Sequence, residues 1–324
     1  MKEKIFINAR IIDPSQKMDE VGSLILNDKG KVKDIGKNVK KTDAKPDAEV
    51  IDVKKNILIP GLVDMKAFVG EPGYEYKENF RTLSHAALAG GVTSIVTMPN
   101  TKPIIDNVSM VDFIIRRGRD KANVNLFPCA SITKQSEGKL MTEFGLLSDR
   151  GIVGFSDVNK TVQNTELMAR IMDYAADIGV LIMQHAEDYE LSKNACINDG
   201  EIATRLGLEG VSSIAEKIII ERDLSLLSEY PCRYHINQIS SKNSLEVTSL
   251  IENSDLFIIE IALSISCLFL KVNLSIFFSS NKLNLEKKFL LLVFVISEFK
   301  VQYSSGLNNS ISFSLSVINF KATD

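Results

Sequence analysis

Apolar residues in this chain come in short runs that alternate with helix-period stretches. The alternation starts near Ile57. Runs of strand length occur at Ile57–Met65, Val92–Met98, Val124–Ala130, Ile152–Phe155, Val180–His185 and Arg233–Ile239. Helical stretches lie between most of them, at Tyr76–Ala89, Val108–Lys121, Glu143–Ser148, Thr165–Asp177 and Ser213–Ser228. In Thr165–Asp177 the residues Leu167, Met168, Ile171, Met172 and Ala175 fall near one face, the mark of a helix packed on a core. Strand–helix alternation over this length predicts a parallel α/β architecture. Ahead of it, residues 1–56 predict short strands at Ile5–Ile7, Ser23–Leu26, Val32–Ile35 and Glu49–Asp52. Turn clusters at Asp13-Pro14-Ser15, Asn27–Gly30 and Lys45-Pro46-Asp47 separate them.

The pattern breaks near Val247. All eight prolines, all three histidines and every arginine precede residue 248, and the remainder holds a single glycine, Gly306. Charged residues also thin out. A βα-repeat needs glycine and proline at its turns, so residues 248–324 do not read as a continuation. The favoured account is out-of-frame or non-coding A/T-rich sequence joined to the rest; a divergent natural extension is the alternative. Leu256–Phe278 is long and apolar enough to raise a membrane span. It carries Glu260 and Lys271, and each charge costs a few kcal/mol near mid-membrane. The tail also has strand-like runs at Phe289–Ile296 and Ile311–Ile318. The expected organisation is 1–56, 57–247 and an atypical 248–324.

Bulk properties narrow the function. The formal net charge of −3 gives no basic footprint for nucleic acid. Four cysteines, Cys129, Cys196, Cys232 and Cys267, form no CxxC pair. That fits a reducing cytosol and not a zinc ribbon or disulfide framework. The N-terminus turns polar too soon for a signal peptide, so a cytoplasmic location is expected.

The stretch Asn56-Ile-Leu-Ile-Pro-Gly-Leu-Val-Asp-Met-Lys-Ala-Phe-Val-Gly-Glu-Pro-Gly-Tyr-Glu-Tyr-Lys-Glu78 resembles the first barrel strand of the dihydroorotases, within the amidohydrolase superfamily. Gly90–Thr101, Thr142–Gly145, Gly151–Asp157, His185-Ala-Glu-Asp188, Ala203–Gly210 and Tyr234–Ser240 extend the likeness over about residues 1–247. It implies a (β/α)8 TIM-type barrel behind a small N-terminal β-sandwich segment. Only six strands are visible, so the barrel is expected to be incomplete. Barrels of this kind work at the C-terminal ends of their strands.

The resemblance also implies a zinc site, and five of its ligand positions can be located. Two follow strand one and hold Lys66 and Phe68 in place of histidines. The others hold Asp157, His185 and, where a histidine is usual, Gln238. Asp157 and His185 alone keep ligand chemistry. A catalytic zinc normally keeps three protein ligands and a water, and a complete site is worth about 10–16 kcal/mol. An ammonium has no lone pair to give and repels a cation, so no bound cofactor is expected. Asn100 stands where the family contacts substrate, and the family's arginine beside Glu71 is Gly70 here. No Ser-Asp-His stretch in the tail supplies the catalytic aspartate of strand eight. His185 also reads as a hydrogen-bonded strand-end histidine, Asp157 as an acceptor of loop donors, Asn100 as a turn residue and His235 as structural. His85 falls inside a helix pattern, outside the site.

The expected role is therefore a catalytically inactive dihydroorotase-like protein. The resemblance implies aspartate carbamoyltransferase as its partner. An active dihydroorotase, interconverting carbamoyl aspartate and dihydroorotate, and a non-functional fragment are the alternatives.

Overall fold

The computed structural model describes residues 2–249, with two further short strands at Val293–Ile296 and Leu315–Ile318. Leu256–Phe278 and most of the atypical tail lie outside the described residues. Within them, no helix is long and apolar enough to cross a membrane.

The N-terminal segment is built around β1 (Lys4–Asp13). β2 (Met18–Leu26) and β3 (Val32–Gly36) add antiparallel on one side. β4 (Glu49–Asp52) and β5 (Ile57–Leu58) pair parallel with successive stretches of its other edge. Among the described residues the expected sandwich segment is thus one mixed sheet. Both of its faces are apolar: Phe6, Ala9, Leu24 and Leu26 on one, Ile5, Ile25 and Val39 on the other. A bulge between Phe6 and Ala9 lets one strand serve both faces. There Asn8 takes a positive φ of 57° and its amide bonds Asp52 at 3.0 Å.

The run Ile57–Met65 is not one strand. It splits into β5, in the N-terminal sheet, and β6 (Leu62–Ala67), which opens the second sheet. Pro60 has no N–H for a ladder. Gly61 lies so close to β7 (Val92–Thr97) that a Cβ there would stand 2.3 Å from the Thr93 methyl. The remaining elements follow as α1 (Phe80–Gly90), α2 (Val108–Lys121), β8 (Asn125–Ala130), α3 (Phe144–Ser148), β9 (Gly154–Phe155), α4 (Thr165–Ile178) and β10 (Leu181–Gln184). Then come α5 (Tyr189–Ser192), β11 (Ile197–Asn198), α6 (Glu201–Leu206), β12 (Gly210–Val211), α7 (Ser213–Glu229), β13 (Arg233–Ile236) and α8 (Lys242–Ser249). The tail strands are β14 (Val293–Ile296) and β15 (Leu315–Ile318). They pair antiparallel with each other, and β14 meets β5 at Ile57.

The second sheet runs β13-β10-β9-β8-β7-β6, every pair parallel. It is the parallel α/β sheet that the alternation predicts, and the six-stranded part of the (β/α)8 barrel that the resemblance implies. The side facing the helices carries Ala130, Phe155, Ile182, Tyr234 and Ile236, packed with Met168, Ile171 and Met172 of α4 and Ile219 and Ile220 of α7. The inner side carries Val96, Met98, Cys129, Leu181 and Met183, with Met65 and Val158 against them. Successive strand residues point to opposite faces, so this inner cluster floors the barrel. The side chains just beyond the strand ends stand above it.

Candidate active site

Lys66 sits near the end of β6, and its ammonium donates to the Gln238 side-chain oxygen at 3.0 Å. Gln238 follows β13, the opposite edge strand of the six-stranded sheet, so this bond spans the mouth between first and sixth strands. Burial pushes Lys66 down to about 8. The cost arises because taking an ammonium out of water disfavours its charged form. The same charge acts on the neighbouring histidines. His235, on β13 and 2% exposed, is pushed down to about 4 by burial, with Lys66 adding to the effect. His185, just past β10, is lowered by burial and then by Lys66, against the opposing pull of Glu187.

His185 Nε2 lies 2.9 Å from Glu187 Oε2 and its backbone carbonyl accepts from the Thr161 hydroxyl at 2.5 Å. Its Nδ1 is buried with no hydrogen-bond partner. Asp157 lies just past β9. Its Oδ1 accepts from the Ser131 hydroxyl at 2.6 Å and the Thr133 N–H at 3.0 Å, and its Oδ2 from the Thr133 hydroxyl at 2.5 Å. Burial raises the Asp157 carboxyl against the pull of these donors. Both oxygens are committed to the loop after β8, the loop-acceptor role that the sequence left open.

Phe68 packs its ring at 6.3 Å from Tyr74. Gly70 has a φ of +71°, and a Cβ there would stand 2.5 Å from the Glu78 carbonyl. The loop as folded therefore has no room for an arginine at 70. Asn100, after β7, keeps its side-chain oxygen buried and without a hydrogen-bond partner; no bond joins it to the Lys66–Gln238 pair. His85 lies exposed on α1, outside the site.

The structure thus brings Lys66, Gln238, His185 and His235 together and places Met65 and Met98 beneath them, while Asp157 and Phe68 are engaged elsewhere. Among the described residues no group of three or more His, Cys, Asp or Glu is placed to hold a metal. With Lys66 bonded to Gln238 and both Asp157 oxygens taken, these residues do not fit a zinc ion.

Beside this mouth opens a cavity of about 510 Å³, lined by His185, Glu187, Glu216, Gln238, Ser240 and Lys242 among others. Its wall is braced by Glu216 of α7, whose carboxylate accepts from the Ser240 N–H at 2.8 Å, the Ser240 hydroxyl at 2.7 Å and the Ser241 N–H at 3.2 Å. The sequence reading gave no role to Glu216, Glu187, Ser131 or Thr133. Glu187 was in view inside His185-Ala-Glu-Asp188. The two hydroxyls carried no signal beyond their place after a strand.

A curled parallel sheet with its polar side chains gathered at the strand ends is part of a (β/α)8 barrel. Solved structures agree: the L-hydantoinase of Arthrobacter aurescens matches with a TM-score of 0.64 at 20% identity, covering 81% of this chain and 58% of that one. A D-hydantoinase from Thermus sp. matches with a TM-score of 0.61 at 19% identity, covering 79% and 57%. The sequence model of the dihydro-orotase-like family matches residues 55–244. The chain is 40% identical over 238 residues to a dihydroorotase of Syntrophus aciditrophicus, covering 74% of this chain and 55% of that protein. It is 41% identical over 238 residues to one of Geobacter metallireducens, with the same coverage. This chain belongs to the dihydro-orotase-like family. It spans about half the length of the curated relatives it matches.

The low pKa of His235 makes stability sensitive to acid. Its folded value, about 4, lies below the ordinary 6.5, so the unfolded chain takes up the proton first as pH falls. The stabilising contribution is complete above about 6.5 and is lost towards 4, up to about 3 kcal/mol. Asp157 and Asp223, both raised by burial, pull the other way, so the comparison must be with a variant. The loss of unfolding free energy between pH 7 and 4.5 is expected to be about 2 kcal/mol smaller in His235→Gln than in the parent. Equal losses in urea titrations would rule this out.

Proposed function

We propose that this chain is a dihydroorotase-like protein without catalytic turnover, acting as a structural partner of aspartate carbamoyltransferase. The observation that carries the first half is the 3.0 Å bond between Lys66 and Gln238. Two positions where the resemblance calls for metal-binding histidines are occupied by a cation and an amide bonded to each other. Without a bound metal there is no activated hydroxide and no polarised carbonyl for opening a cyclic amide. The partnership rests on the resemblance to non-catalytic dihydroorotase-like chains.

The test is elemental analysis of the purified chain together with a dihydroorotate hydrolysis assay. Less than 0.1 zinc per chain and no turnover above background are expected. About one zinc per chain with hydrolysis would overturn the reading. Co-purification with aspartate carbamoyltransferase from the same cell is expected, and separate elution of the two would dismiss the partnership. A working dihydroorotase is the second reading, favoured by 40–41% identity to proteins so named; the same assay decides it.

A further inference from the structure

The chain between β10 and α7 folds as a small unit against the first turn of α7. The Asp188 N–H bonds the Ala215 carbonyl at 2.9 Å, the Cys196 N–H bonds the Glu209 carbonyl at 3.1 Å, and β11 pairs parallel with β12. Little of the apolar content here is turned inward. Tyr189 and Leu191 of α5, Ile202 and Leu206 of α6, and Ile214 and Ile218 of α7 are between 43% and 60% exposed. Ile202 and Leu206 stand one turn apart on α6, and Ile214 and Ile218 one turn apart on α7, so each pair shares a helix face. Elsewhere such a face is buried, as α4 buries Leu167, Met168, Ile171 and Met172. The six side chains leave on the order of 600 Å² of apolar surface in water. That is the top of the ~300–600 Å² found for the largest patch of a monomer, and close to the ~800 Å² that each partner gives to a standard interface.

The charges beside these residues suit a copy of the same surface. Lys193 is paired with Glu190 and Lys217 with Glu221, each within its own stretch. Glu201, Arg205 and Glu209 are exposed next to the α6 pair, and among the described residues none of the three is ion-paired. A two-fold contact sets one patch against itself, so any match is made twice. Arg205 of one copy can then meet Glu201 or Glu209 of the other, and both signs are present on the one face. We propose that this face joins two copies of the chain as a two-fold dimer, with the apolar side chains of α5, α6 and α7 at its centre and Arg205 paired with a carboxylate of the other copy at its rim.

The experiment is sedimentation equilibrium of the full chain at about 20 μM and pH 7. A mass of about twice 35.9 kDa is expected. The double variant Ile202→Asp, Leu206→Asp puts carboxylates at the centre of the contact, and its dimer dissociation constant is expected to rise at least 50-fold. Arg205→Glu is expected to raise it at least 10-fold. Leu140→Asp, at a side chain 66% exposed outside this face, is expected to leave it within about 2-fold. Circular dichroism checks that each variant is folded. Where the double variant does not fold, the parent chain decides: hydrogen exchange in α6 is expected to slow at least 10-fold between about 0.5 and 50 μM, while α2 stays unchanged. A monomer at 50 μM, a dimer retained by the folded double variant, or α6 exchange independent of concentration overturns the proposal.

Discussion

The variant Lys66→His, Phe68→His, Gln238→His is expected to take up about one zinc ion per chain, with affinity on the order of 1000-fold or more above the parent. Lys66 and Gln238 already converge within 3.0 Å, so imidazoles at both positions can reach a common ion, and His185 stands close enough for its protonation to respond to the charge at 66. Removing the ammonium also removes the strongest local repulsion of a divalent cation. Phe68→His carries a packing cost against Tyr74, so circular dichroism must show the variant folded before zinc is titrated. Turnover of dihydroorotate is expected to stay at background. Asp157 remains bound to Ser131 and Thr133 and is not free to join the ion. A folded variant with no gain in zinc affinity would show that the three positions do not meet at one point.

The barrel was legible because its strands and helices obey different periods. Val92–Met98, Val108–Lys121 and Thr165–Asp177 fall within a residue or two of β7, α2 and α4. The run at Ile57–Met65 misled because apolar content does not record which sheet a residue joins; the break lies at Pro60-Gly61, both visible as breakers. The helix expected from Tyr76 starts at Phe80 because Asn79 caps it, its oxygen accepting from the N–H groups of Arg81 and Thr82. The segment 189–211 holds elements of two to six residues, too short to show a period. In the site, sequence could name Lys66 and Gln238 as replaced positions but not that they bond, since 172 residues separate them. For Asp157 the sequence left ligand and loop acceptor both open and could not name its partners, because hydroxyls at strand ends are too common to single out Ser131 and Thr133.

The largest loss of stability from one substitution is expected at Asp223. This α7 carboxylate is 0% exposed. Its Oδ1 accepts from Arg222 Nε at 2.8 Å and lies 2.6 Å from Nη2, and its Oδ2 accepts from the Tyr234 hydroxyl at 2.5 Å. Burial raises the carboxyl, and Arg222 and Tyr234 pull it back. Arg222 is pinned from the other side by the carbonyls of Val162 and Gln163, at 2.9 and 3.1 Å, so it cannot swing freely to water when its partner goes. Asp223→Ala therefore leaves a guanidinium largely buried without its counter-charge and the Tyr234 hydroxyl without its acceptor. Breaking one side of such a pair costs about 3–5 kcal/mol, against a typical total of about 5–15 kcal/mol. Tyr234→Phe removes one bond and keeps the ion pair, so about 1–2 kcal/mol is expected. The distinction bears on the mouth of the barrel: Asp223 ties α7 to β13, and β13 leads directly to Gln238, the acceptor that holds Lys66. Urea unfolding of the three proteins at pH 7 reads the costs. Asp223→Ala within 1 kcal/mol of the parent would mean that β13 is held in place by apolar packing alone, and that Lys66 keeps its partner without help from the buried pair behind it.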